Sequence, residues 1–279
     1  MDPPYGASIN YWMGTDGEGD AEIEISNAAG EVVRTLSSVA SPGVNRVWWD
    51  LNGEPSVLPR LRTKPLFAQD IQLGEDRERP FPGGGPAGAG GPPILQAPGT
   101  YTVTLRVNGE TFTESMEVRK DPNSEGTLAD IQVQIAMLED LHADADSASA
   151  MISRIESVRR QVLDARDILT EQGEQDEIIA AATALDQTLI EVEEGLFQMR
   201  ATGTGQDGVR YPSRLMERLG YLFNTTSIGD FPPTDQQGEV HVILKERLAL
   251  IAIALDAVLD DDLEEFNRRL QSLGMQIVS

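Results

Sequence analysis

The chain has 279 residues, of which 46 are acidic and 22 basic, for a formal charge of −24. That balance argues against nucleic acid as a partner and against docking on an anionic membrane, since both rely on clustered Lys and Arg. With no cysteine, disulfide staples, thiolate catalysis and zinc–thiolate sites are excluded.

Length and a 40% apolar fraction allow two folded domains. Ala7–Met13 is the first expected strand, followed by an acidic turn at Gly14–Asp20. Ala21–Ser26 alternates, with Ile23 and Ile25 opposite Glu22 and Glu24, and Glu31–Leu36 is its partner across the turn Asn27–Gly30. Val44–Leu51 carries Trp48 and Trp49 and reads as the central strand. In it Val47, Trp49 and Leu51 share the core face, and Trp48 points the other way.

Residues 54–98 interrupt the pattern. Arg60–Thr63 and Pro65–Phe67 are candidates to pack on the sheet, while the Pro/Gly tract Pro82–Pro93 offers no side chains to bury and reads as a mobile loop. Order returns with the alternating strand Tyr101–Val107, the turn Asn108-Gly109, whose residues tolerate positive φ, and the return strand Glu110–Val118. Six strands joined this way predict an antiparallel, immunoglobulin-like β-sandwich over residues 1–122.

After Asp121-Pro122 the apolar period changes from 2 to 3.6. Thr127 and Asp130 mark a capped start, and Leu128, Ile131, Ile135, Leu138 and on to Val162 form the stripe of a long helix reaching about Leu169, with a kink expected at His142–Ala150. Gly173 ends it. A second helix is expected over Glu174–Arg200 and a short one over Arg214–Phe223. Thr234 with Gln237 caps a last helical stretch whose buried side is read as Val240, Ile243, Leu244, Ile251, Leu255 and Val258. Three long helices and one short helix predict an up-and-down bundle over residues 123–279. The expected class is therefore α+β with two segregated domains.

Chemistry-bearing motifs are sparse. Asp16–Asp20 is spaced like a calcium loop, yet the closing Glu of an EF-hand falls at Asn27, so an acidic turn is the preferred reading. His142, with Asp140, Asp144 and Asp146 near it, and His241 are the residues a bundle metal site would need, but the carboxylate–histidine repeats of such sites are missing. No G-x-S-x-G elbow, P-loop or H-E-x-x-H occurs. Trp12, Trp48 and Trp49 are weighed as a sugar-stacking platform and assigned instead to core or interface packing. No catalytic residue, cofactor or metal ligand is assigned.

Pro3–Ala7, Glu31–Leu36, Asn45–Leu51 and Pro98–Val103 together resemble the region that follows the β-propeller in bacterial sortilin-like, BNR-repeat "glycosyl hydrolase" proteins. Asp121-Pro122, Gln206–Pro212 and Asp230–Thr234 resemble the helical tail of the same proteins. The strand–loop–Pro-Gly-Thr-Tyr pattern is also similar to the Ig-like domain of flagellar hook-capping proteins. Glycosidase-like chemistry would sit on the propeller, and no Asp-box repeat (Ser-x-Asp-x-Gly-x-x-Trp) is present to carry it.

The resemblance implies a non-catalytic accessory module that is secreted or periplasmic. It would be a C-terminal fragment or separately encoded equivalent, docking on a propeller or another protein. The alternative is a carbohydrate-binding or glycoside hydrolase-associated domain using surface tryptophans. Tyr5, Trp48, Arg60 and Arg62 are the expected contact residues. No signal peptide is read at Met1–Gly6, and Leu248–Leu255 is too short for a membrane span.

Overall fold

The computed structural model describes residues 4–14, 19–68, 70–82, 90–173, 176–201 and 207–279. Residues 15–18 of the expected acidic turn Gly14–Asp20, most of the Pro/Gly tract (83–89), the expected start of the second helix (174–175) and the loop at 202–206 lie outside the described residues. The chain is α+β, with antiparallel sheets followed by helices. Among the described residues, no helix is long and apolar enough to cross a membrane.

Six strands form, β1 (Ala7–Met13), β2 (Gly19–Ser26), β3 (Val32–Ala40), β4 (Gly43–Trp49), β5 (Gly99–Val107) and β6 (Glu110–Val118). They make a four-stranded sheet in the order β3-β2-β5-β6 and a two-stranded sheet, β1-β4. Asn108 and Gly109 both take positive φ, as the tight turn between β5 and β6 requires. At the β2–β3 turn, the Asn27 side-chain oxygen accepts from the backbone N–H groups of Ala29 and Glu31, each at 3.0 Å.

The core is made by the inward sets Ile23 and Ile25 of β2, Tyr101, Val103, Leu105 and Val107 of β5, and Trp49 of β4. Trp49 stands edge-on to Tyr101, with ring centroids 5.2 Å apart, and its indole N–H donates to the Asn52 carbonyl at 2.8 Å. Gly6 runs so close to β4 that a Cβ there would fall 2.1 Å from the Trp49 carbonyl oxygen, so no other residue fits.

β4 is not a central strand. The bend at Ser41–Gly43 carries the chain from one sheet to the other, and β4 then pairs with β1 and with no other strand among the described residues. Alternation also stops early, because Leu51 adopts φ 62° and leaves the strand.

The helices are α1 (Leu128–Gln172), α2 (Asp176–Leu196), α3 (Asp207–Arg210), α4 (Leu215–Thr226), α5 (Asp235–Ala257) and α6 (Leu263–Ser272), the last two joined by a π-helical turn at Val258–Asp262. Capping is as the sequence indicates. Thr127 and Asp130 bond reciprocally at the start of α1, and Thr234 and Gln237 form a capping box on α5. α1 stays helical through His142–Ala150.

The buried side of α5 also differs from the expected one. His241, Leu244, Leu248 and Leu255 face inward, whereas Val240 and Ile243 are exposed. Apolar residues surround this helix on several sides, so the sequence alone does not mark the packed face.

Two compact units result, and they do not divide at the expected 122/123 boundary. One comprises residues 1–55, 92–139 and 226–233; the other comprises 56–91, 140–225 and 234–279. In the first, Gln134 on the opening turns of α1 donates to the carbonyls of Thr226 and Gly229, both at 2.8 Å, which fastens the 226–233 segment.

Within the second unit, residues 57–63 lie along α1 and not on the sheet, contrary to expectation. The N–H of Val57 donates to Asp146 (2.7 Å), that of Arg60 to Ser153 (3.0 Å), and those of Arg62 and Thr63 to Glu156 (2.6 Å each). An irregular strand needs acceptors for its free N–H groups, and α1 supplies them from one face.

Replacing Trp49 by Ala should destabilise the sheet unit by about 3–5 kcal/mol, because it empties a closed site. Trp48→Ala, on the opposite face, should cost less than about 1 kcal/mol. Urea unfolding followed by far-UV circular dichroism measures both, and equal losses would contradict this assignment of the two rings.

Candidate functional site

Of the residues expected to make contacts, Tyr5 is 71% exposed and lines a cavity of about 220 Å³ together with Leu51, Gln134 and Asp230. Trp48 is 36% exposed. Arg60 and Arg62 both approach Glu78, at 3.8 and 3.3 Å. Tyr5 and Trp48 belong to the first unit and the two arginines to the second. The three tryptophans do not form one platform, since Trp49 is buried in the core. Trp12 and Trp48 do share the outer face of the β1-β4 sheet, where Trp12 stands opposite Val44 and Trp48 opposite Ser8.

The most distinctive surface lies at β1. One edge of this strand pairs with β4, and the other pairs with no strand among the described residues. Beside that free edge an apolar groove of about 620 Å³ opens between β1 and the β5-β6 hairpin. Ile9, Tyr11 and Met13 line one side, Val103, Leu105 and Val107 the floor, and Phe112 and Met116 the far side, where Glu110 and Glu114 also border it. Trp12, at 71% exposure, sits at its rim.

The two outer edges of the four-stranded sheet are blunted in the usual ways. β6 carries Glu110, Glu114 and Glu117. β3 is covered by Glu54, whose N–H donates to the Val33 carbonyl (2.9 Å) and whose carboxylate accepts from the Thr35 N–H (2.7 Å). By contrast β1, Ala-Ser-Ile-Asn-Tyr-Trp-Met, has neither a charge nor a proline. Its uncharged composition is legible in the sequence, but its position at an edge is not.

The second unit holds a buried charge cluster that apolar periodicity passes over. Arg159 on α1 reaches Glu193 (2.5 Å) and Asp186 (2.9 Å) on α2, with Glu156 at 3.7 Å. Glu156 also accepts the Thr63 hydroxyl at 2.9 Å and neighbours Arg79 at 3.7 Å. Burial and the adjacent negative charge of Glu156 push the Glu193 carboxyl up from its ordinary 4.5 to about 8, against the pull of Arg159. The Glu193 Oε1 atom is buried and has no donor among the described residues. A proton on that oxygen turns it from an unsatisfied acceptor into a donor, and two arginines then face two carboxylates, Glu156 and Asp186.

His241 meets Asp144 at 2.8 Å, while His142 lies 3.8 Å from Asp146. Among the described residues no group of three or more His, Asp or Glu is placed to hold a metal ion. The bundle histidines are thus matched with separate aspartates and are not drawn into one ligand set.

The sign of the Glu193 effect on stability follows from its raised value. The unfolded chain loses this proton near 4.5 and the folded chain near 8, so stability from this group is complete below the lower value and falls as pH rises through the window. Glu193→Gln keeps the donor and removes the titration. It should melt with the parent near pH ~5 and several °C above it near pH ~9, at about 2–4 °C per kcal/mol. Thermal melts across pH check this, and parallel curves for the two proteins would refute it.

Comparison with protein families, with curated proteins and with solved structures finds no match to this chain.

Proposed function

We propose that the chain is a non-catalytic interaction module that takes up a strand of a protein partner along β1. The observation that carries this reading is the uncharged free edge of β1 beside an apolar groove. An added strand would satisfy the edge through main-chain hydrogen bonds while its alternate side chains fill the groove, the recognition mode known as β-augmentation.

We read the sheet unit as an immunoglobulin-like sandwich and the helices as an up-and-down bundle. Supporting the first is the Tyr101 hydroxyl, which donates to the Ala97 carbonyl four residues upstream at 2.6 Å, in the manner of the tyrosine corner of such sandwiches. The sequence resemblance makes a sortilin-like, BNR-type propeller the partner of choice and an exported, secreted or periplasmic protein the setting. A second reading, carbohydrate binding, rests on the exposed rings of Trp12 and Trp48 on one sheet face.

Calorimetric titration with a bacterial sortilin-like propeller domain should give saturable binding. Trp12→Lys with Phe112→Lys should weaken it roughly tenfold or more, since burying an aromatic side chain contributes about 1.5–3 kcal/mol. Absence of propeller binding, together with glycan binding that Trp48→Ala abolishes and Phe112→Lys leaves intact, would replace this reading with the carbohydrate one.

A further inference from the structure

A second surface, in the helical unit, has a chemistry opposite to the rest of the chain. A groove of about 490 Å³ between α2, α4 and α5 is lined by Arg214, Arg218 and Arg247 together with Leu215, Leu250 and Ile251. In a chain where acids outnumber bases by 46 to 22, carboxylates are at hand for helical arginines, as Asp164 is for Arg160 and Glu265 for Arg269 one helical turn away. Among the described residues, none of these three arginines has an ion pair.

The sequence explains why. The positions three and four residues to either side of Arg247 are Ile243, Leu244, Leu250 and Ile251, and those around Arg218 are Arg214, Leu215, Tyr221 and Leu222. No acid is within helical reach of either. The nearby carboxylate of Glu217 is taken by two backbone N–H groups, of Gln198 (2.9 Å) and Arg214 (2.8 Å).

The exposed apolar strip of α5 meets this groove. Val240, Ile243 and Leu250, the last 66% exposed, lie on the same side of the helix as Arg247 and extend over about 15 Å at 1.5 Å per residue. That length exceeds what a small anion covers and suits a helix laid alongside. A net charge of −24 repels a polyanion such as nucleic acid, while a short segment with a few carboxylates is drawn to the local positive charge.

We infer that this groove binds an acidic amphipathic helix of a partner protein, its carboxylates on the three arginines and its apolar edge on α5. The inference stands apart from the β1 groove, which belongs to the other unit.

The test uses two designed peptides of ~15 residues, long enough for helix formation, with Leu on one face and either Glu or Lys on the flank. Fluorescence anisotropy with the full chain should show binding of the Glu peptide only, weakening as salt rises. Arg218→Glu with Arg247→Glu should reduce that affinity roughly tenfold or more, and so should Leu250→Asp. All these side chains are exposed, so the variants should keep the parent melting temperature. Equal binding of the Lys peptide, or no binding of the Glu peptide, would overturn the inference. Concentration-dependent self-association abolished by Leu250→Asp would also overturn it, by giving the face to a second copy of the chain.

Discussion

Glu156 is the residue on which the helical unit turns. One of its oxygens takes the N–H groups of Arg62 and Thr63, and the other takes the Thr63 hydroxyl and faces Arg79 and Arg159. A buried carboxylate is expensive to desolvate, and it is tolerable only where its oxygens are filled this completely. Because two backbone donors of the 57–63 segment converge on it, the same charge also sets the register of that segment along α1. Removing it would strand two N–H groups and take from Arg79 its ion-pair partner, a loss of the kind that reaches about 3–5 kcal/mol for one partner of a buried pair.

The cluster also shows how charges inside a protein are balanced by protons as well as by partners. Arg79 and Arg159 face Glu156, Asp186 and Glu193, one carboxyl too many, and Glu193 carries the adjustment. Arg79 itself is held below its ordinary value by burial despite Glu156 and Glu193 nearby. Over the whole chain acids outnumber bases by 46 to 22, yet beside α4 and α5 Arg214, Arg218 and Arg247 have no ion pair among the described residues.

Local patterns in the sequence were enough to find all six strands, the Asn108-Gly109 turn and the caps of α1 and α5, because each depends on neighbours a few residues away. Sheet order was not legible. Val44–Leu51 looks central by composition, yet the bend at Ser41–Gly43 puts β4 in the two-stranded sheet β1-β4. The path of residues 56–82 was hidden for a similar reason. Its partners are polar side chains on α1, Asp146, Ser153 and Glu156, which an apolar stripe does not count. Glu156 and Arg159 do fall in phase with Ile152, Ile155 and Val162, and charges in phase with an apolar stripe are the signal that marks such a cluster. Of the four expected contact residues, Tyr5 and Trp48 fall in one unit and Arg60 and Arg62 in the other, and Trp48 shares its sheet face with Trp12.

The division of the chain has a consequence for its biogenesis. The polypeptide passes from one unit to the other five times, and the sheet unit is completed only by residues 226–233. A ribosome delivers the chain from its N-terminus, and most domains that are contiguous in sequence fold as they emerge. Here the β1 edge and its apolar groove are fully synthesised about 110 residues before the segment that Gln134 fastens, so over that length of chain the sheet unit waits for its last part. Such an interval favours capture of β1 by whatever strand is nearest, which makes early engagement of the proper partner, in the same polypeptide or beside it, an advantage for the fold as well as for the function.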